Sequence, residues 1–254
     1  MLCVRLSSVT TYQTEAIVLR TWPFEEADLL VSLFTREQGV VKGVARHAMR
    51  SRKRFGGALE PMTHVRATYA EKPKQDLVRL DSFEILWSPM SEPVDYGRVT
   101  ALQFVAEVLG EALPERAVED DVFRLTVATL AEVKVGQVWM PVTYFTLWMT
   151  RLMGWLPELG VCIVCGEALR GQPVWFAAGA DGVTCGPHKR PGSLALLPEA
   201  VALAERMLRR PLAELLKESW GKAGPLTMVR RFAVEILERH LERQIRSARV
   251  LARL

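Results

Sequence analysis

Residues 14–45 read TEAIVLRTWPFEEADLLVSLFTREQGVVKGVA. Three runs in this stretch, Thr14–Trp22, Asp28–Thr35 and Val40–Ala45, are rich in Val, Ile, Leu, Thr and aromatics. Turn material at Pro23–Ala27 and Gln38–Gly39 separates them, which is the pattern of short strands joined by tight connections. Two more runs follow, Met62–Tyr69 and Leu77–Trp87, reached through a long basic stretch, Arg46–Glu60, and a polar connection, Glu71–Gln75. In the fourth run Val65, Ala67 and Tyr69 alternate with His64, Arg66 and Thr68, the period of a half-buried strand. In the fifth the apolar phase shifts between Leu80 and Phe83, which predicts a bulge near Asp81–Ser82. Five short, bent strands predict a small barrel. The OB-fold leads, and an SH3-like barrel fits the same periodicity.

Beyond Pro89 and Pro93 the period changes from two to about 3.6. Val99, Leu102, Ala106, Leu109 and Leu113 form one helical face that ends before Pro114. A second helix is expected over about 118–135, opened by Glu119, Asp120 and Asp121, whose charges suit the positive end of a helix dipole. A third is expected over 142–156. Residues 160–192 are irregular and glycine-rich and cannot build a core alone. Helix returns over Pro198–Arg209, and one long helix is expected from about Leu226 to near Leu254. The expected class is therefore α+β, a five-stranded N-terminal barrel followed by a helical domain. The expected division is a barrel over 1–87, a bundle over 88–158, an inserted metal module over 159–193 and completing helices over 194–254.

The chain has 254 residues, 49% of them hydrophobic and 24% charged, which excludes a disordered or fibrous whole. Its net charge of +4 is unevenly placed. Residues 1–80 carry 13 Lys/Arg against 8 Asp/Glu, residues 81–202 carry 8 against 15, and residues 203–254 carry 12 against 6. Basic ends that flank an acidic middle suit a polyanionic ligand. No 7–15-residue apolar signal core is found near the N-terminus. The most apolar stretch, 135–150, is broken by Pro141, so neither a signal peptide nor a membrane span is expected. A cytoplasmic location follows from these readings and from the cysteine usage.

Cys162-x-x-Cys165 and Cys185-x-x-His188 lie 19 residues apart. Two such knuckles place four soft ligands for one tetrahedral Zn²⁺, and four protein ligands close the shell, so the metal is expected to be structural. Cys3 is read as a small apolar residue or a free thiol. From Lys42 to Arg54 the chain carries Lys42, Arg46, Arg50, Arg52, Lys53 and Arg54, with no acid between Gln38 and Leu59. Such a run makes a phosphate-binding patch or a solvated loop. Trp22, Phe24 and Phe55 lie nearby as possible base-stacking rings. A second basic row, Arg239, Arg243, Arg246 and Arg253 with Arg230, Arg231 and Arg249 beside it, is expected on the last helix. There Glu235–Arg239 and Glu242–Arg246 also read as ordinary i,i+4 pairs. No phosphate-binding glycine motif, HExxH or GxSxG occurs, so no catalytic site is expected.

Several segments carry a resemblance: Thr14–Arg20, Glu26-Ala27-Asp28, Phe34–Gly39, Lys42–Arg46 with the basic loop to Pro61, Gly154–Leu159 and Cys162-x-x-Cys165-Gly166. On these the chain resembles the RecO family of bacterial DNA repair proteins along nearly its whole length. The resemblance implies a non-enzymatic recombination mediator with an N-terminal OB-fold. Such proteins bind single- and double-stranded DNA and anneal complementary strands without ATP. They act with RecR and RecF and help load RecA on strands coated by single-stranded-DNA-binding protein. It also implies a nucleoid-associated location without membrane contact, and a structural zinc, since the ligands vary across the family. Arg20 and Arg66, with Lys42, Arg46 and the basic loop, are the barrel residues expected to meet DNA.

Overall fold

The computed structural model describes residues 9–51, 54–218 and 224–253. Two compact units divide the chain, Met1–Val127 and Ala128–Leu254. In the first, strands β1 (Thr10–Phe24), β2 (Asp28–Thr35), β3 (Gly39–Ala45), β4 (His64–Glu71) and β5 (Val78–Trp87) form a closed barrel in the order β1-β2-β3-β5-β4. All pairs are antiparallel except β3–β5, where Gly43–Ala45 run parallel to Val78–Leu80. This is the OB-fold arrangement, and it decides against the SH3-like alternative.

The alternation read from the fourth run holds, with Val65, Ala67 and Tyr69 pointing inward beside Val18, Val31, Leu33, Val41 and Leu80. Each of these Val and Leu side chains contributes roughly 1.5–3 kcal/mol on burial. The expected bulge falls at Asp81: Thr68 pairs with Ser82 and Tyr69 with Leu80. A second bulge, at Leu19, lies between the pairs Val18–Leu33 and Arg20–Ser32. It keeps Val18 inward while turning Arg20 and Trp22 outward, because each extra residue reverses the strand's facing. Gly43 makes the parallel seam possible. A Cβ there would meet Val78 Cγ2 at 2.7 Å and Leu80 Cδ2 at 2.8 Å.

The Phe34–Gly39 segment is a structural turn. Thr35 Oγ1 donates to Gly39 O (2.8 Å) and accepts from Gln38 N–H (3.1 Å), and Gly39 holds φ 65°. Arg36 Nε donates to Asp120 Oδ1 at 2.9 Å, and the Phe34 ring meets Phe123 edge-on. Helix α1 (Tyr96–Ala112) is N-capped by Asp95, whose carboxylate accepts the Arg98 N–H at 2.7 Å. Helix α2 (Asp120–Lys134) begins in the first unit and ends in the second.

The second unit continues with α3 (Trp139–Leu152), α4 (Pro198–Arg209), α5 (Leu212–Leu215), α6 (Pro225–His240) and α7 (Arg246–Leu251). Helix α6 packs on α3 and α4. Residues 160–192, read as irregular, contain β6 (Val174–Phe176) and β7 (Val183–Thr184). With β8 (Leu194–Leu196) these form a three-stranded sheet in the order β7-β6-β8. Its strands are too short to show a period. It borrows a core from α6, where Phe232 meets Phe176 edge-on at 5.1 Å.

The single long C-terminal helix is corrected to two, α6 and α7, divided at Leu241–Ile245. Glu242 adopts φ 52°, a left-handed conformation that ends the helix. The Glu238 carboxylate accepts the Ile245 N–H at 2.8 Å and so starts the next one. No described helix is long and apolar enough to cross a membrane.

Candidate nucleic-acid interface and metal centre

The barrel register brings together cations that are distant in sequence. Arg20 of β1 lies opposite Ser32 of β2, and Ser32 lies opposite Lys42 of β3. Residues directly opposite share a face, so Arg20 and Lys42 stand in one outward row, about 10 Å apart across two strand spacings. The next outward row is Trp22–Leu30–Val44–Arg79. The Arg20 guanidinium lies 5.2 Å from the centre of the half-buried Trp22 ring. A cation beside an aromatic face on a sheet is suited to a phosphate next to a stacked base.

The other expected cations differ in availability. Lys42 pairs with Glu115, which lies outside the acid-free run. Arg46 lines a groove of about 410 Å³ together with Lys72, Asp76 and Arg79, and Arg79 is bound to Asp81 at 2.8 Å. Lys72 and Arg79 are cations that sequence reading did not single out; the β3–β5 register places Arg79 opposite Val44, and Lys72 joins it only as a lining residue of the groove. Arg50 is exposed on a 3-10 turn, Ala48–Arg50.

Arg54 turns inward, donating to Arg46 O (2.5 Å) and Ser51 Oγ (3.2 Å) while packing over Phe55. Phe55 is 2% exposed and belongs to the barrel core, so it is not a stacking platform. Phe24 remains exposed. Arg66 is held by Glu84 at 2.7 Å. Among the described residues Arg20, Arg46, Arg50 and Arg54 form no ion pair. Arg52, Lys53 and Cys3 lie outside the described residues.

The C-terminal basic row does not form as expected. Arg239 of α6 donates to Ala180 O and pairs with Asp181 rather than with Glu235. Arg243 lies in the break and Arg246 opens α7, so the three share no continuous helical face.

The four metal-ligand side chains converge, with their ligand atoms all within 4.8 Å of one another. The backbone closes both knuckles, Gly166 N–H donating to Cys162 O (2.8 Å) and His188 N–H to Cys185 O (3.1 Å). Ile163 N–H reaches Val183 O at 3.0 Å and ties the first knuckle to the strand that leads into the second. Cys162 Sγ lies 3.8 Å from His188 Nδ1, Cys165 Sγ 3.9 Å from Cys185 Sγ, and Cys185 Sγ 3.1 Å from His188 Nδ1. A tetrahedron with metal–sulfur bonds of about 2.3 Å has edges of about 3.8 Å. The donor set therefore fits one tetrahedral ion.

Burial pushes the Cys162 thiol up, but backbone N–H groups directed at its sulfur, from Cys165, Cys185 and Val164, outweigh this and bring it to about 6. Cys185 is raised, first by burial. A thiolate favoured by backbone donors is the form that binds a metal.

Comparison with known proteins accords with this architecture. The family model described as Recombination protein O N terminal matches residues 9–89, and that described as Recombination protein O C terminal matches residues 93–249. The DNA repair protein RecO of Koribacter versatilis is 51% identical over 242 residues, covering 95% of this chain and 98% of that protein. The RecO protein of Anaeromyxobacter dehalogenans is 32% identical over 92% of this chain and 93% of its own length. That of Bifidobacterium adolescentis is 31% identical over 94% and 98%. With both family models matched in order and relatives of this similarity covering both chains almost end to end, this protein belongs to the RecO family of DNA repair proteins.

Proposed function

We propose that this chain is a non-enzymatic recombination mediator. It binds single- and double-stranded DNA, anneals complementary strands without ATP and, with RecR and RecF, helps load RecA on strands coated by single-stranded-DNA-binding protein. The observation that carries this reading is the outward row Arg20–Ser32–Lys42 with Trp22 beside it, a cationic and aromatic surface on the barrel. Like-charged strands resist approach. A protein that neutralises phosphates lowers that repulsion, and base pairing then drives annealing, so no catalytic side chain is required.

Residues 1–87 hold DNA through Arg20, Lys42, Arg46, Arg50, Arg52 and Lys53, with Arg54 and Arg66 nearby. The module at 159–193 holds one Zn²⁺ through Cys162, Cys165, Cys185 and His188. The ion supplies folding energy to a segment that buries little by itself. The protein works in the cytoplasm at the nucleoid.

The test is annealing of two complementary oligonucleotides at low and moderate salt without nucleotide. Salt-sensitive acceleration supports the reading, and DNA binding without acceleration removes autonomous annealing. A second reading, a partner-binding adaptor with weak DNA affinity, is favoured by one feature of the first unit. Ile85, Leu86, Met90, Val94 and Tyr96 are all exposed within twelve residues, more apolar surface than a free face usually carries. A flat dependence of DNA affinity on salt would select that reading.

A further inference from the structure

Arg230 on α6 is 8% exposed, and its Nη1 is buried without a hydrogen-bond partner among the described residues. Its guanidinium lies over the Trp139 ring at 4.9 Å, and it forms no ion pair with any described residue. An arginine cannot escape this by losing its proton. A buried cation costs far more than one aromatic contact returns, unless an anion meets it.

Arg230 also lines a groove of about 490 Å³ formed by α6, α7 and the loop at 178–179. Arg231 and Arg249 line the same groove, and neither forms an ion pair among the described residues; Arg249 is held only by the neutral Gln244 amide. Two acids also line the groove: the Glu238 carboxylate accepts the Ile245 N–H, and burial pushes the Glu235 carboxyl up against the pull of Arg231. Val234, Ala248 and Leu251 supply an apolar wall beside these charges.

We propose that this groove is a phosphomonoester site, in which Arg230 holds the phosphoryl oxygens from the buried end and Arg231 and Arg249 hold them from the rim. Three guanidiniums that form no ion pair among the described residues match a group with three acceptor oxygens and a charge between about −1.5 and −2 at neutral pH. One carboxylate fork would satisfy only one of them. A phosphodiester inside a strand is flanked by two sugars and cannot reach a guanidinium this deep, whereas a terminal phosphate protrudes. The apolar wall then packs the attached sugar or base. The phosphomonoester comes from either of two sources, a free phosphorylated small molecule or the 5′-phosphorylated end of a DNA strand. The second source rests on the DNA-binding function proposed above.

The experiment has two arms on the full-length protein. In the first, inorganic phosphate is titrated at constant ionic strength against chloride while thermal unfolding is followed, with the wild type, Arg230→Met and the exposed-site variant Arg249→Gln. Saturable stabilisation by phosphate that is lost in Arg230→Met and weakened in Arg249→Gln supports the site. If Arg230→Met fails to fold, Arg249→Gln alone decides. In the second, binding of the same oligonucleotide with a 5′-phosphate and a 5′-hydroxyl is compared. A gain of about fivefold or more for the phosphorylated end, abolished by Arg249→Gln, assigns the strand end as ligand. Phosphate stabilisation with equal affinity for the two oligonucleotides assigns a free phosphorylated ligand.

No stabilisation by phosphate and no end preference overturns the proposal. If DNA does not bind at all, the mediator reading fails while the phosphate arm still tests the site.

Discussion

Replacing Glu115 with Gln should make DNA binding more dependent on salt, and the size of that change follows from the ion pairs on the barrel. Arg20, Arg46 and Arg50 lack acidic partners among the described residues, whereas Lys42 is held by Glu115 and Arg66 by Glu84. A phosphate contact by Lys42 therefore gains little, because one ion pair is exchanged for another. The three described contacts contribute about −2.1 to the slope of log affinity against log salt on a single strand, an about 18-fold fall in affinity for a fourfold rise in salt, and any share of Arg52 and Lys53 is the same in every variant. Glu115→Gln frees Lys42 and steepens the slope to about −2.8, or a fall of about 50-fold. Arg20→Ala moves it the other way, to about −1.4, and Arg66→Ala leaves it unchanged. The mutated ion pair is exposed and worth at most about 1 kcal/mol to folding, so stability should hardly change. Fluorescence anisotropy with a labelled oligonucleotide between 50 and 200 mM salt is the assay, over roughly the range in which counterion release is read. Equal slopes for wild type and Glu115→Gln, or an Arg66→Ala slope as flat as that of Arg20→Ala, would refute the assignment of the Arg20–Lys42 face.

Trp22→Ala should weaken single-strand binding about tenfold, from the roughly 1–3 kcal/mol of a stacked base, while leaving the salt slope intact; the same titration separates the two effects. Saturating zinc, at about a hundred times its dissociation constant, should stabilise the protein by about 2.7 kcal/mol over the chelated form, and calorimetry with metal analysis checks this and a stoichiometry of one. Gly39→Ala should destabilise by about 3 kcal/mol from left-handed backbone strain and collision of its Cβ with the Ala117 carbonyl, measured by urea unfolding. Burial lowers the His64 pKa, against an opposing pull from Glu15. The unfolded chain then binds the extra proton first, so stability is present above pH 6.5 and falls as pH drops below it. His64→Gln should flatten that acid limb in urea titrations at pH 5 to 7.5.

The fold was readable where side chains report a period, and the site was readable where ligands report a spacing. Both failed where the decisive relation is between segments. Asp28–Thr35 and Pro198–Arg209 match their elements residue for residue, and the phase shift after Leu80 marks the Asp81 bulge. The CxxC and CxxH knuckles needed only the 19-residue spacing to be paired. The three strands at 174–196 were invisible because runs of two or three residues have no period. The acid-free run from Lys42 to Arg54 counted charges along the chain, and a strand's neighbours are not its sequence neighbours. Glu115, 73 positions away, neutralises Lys42. Arg20, 22 positions before Lys42, becomes its neighbour through Ser32. The Leu19 bulge decides that outcome, since without the extra residue Arg20 would face the core and Thr21 the surface. One inserted residue in a β-strand thus sets which cation faces outward, and a linear charge count cannot detect it.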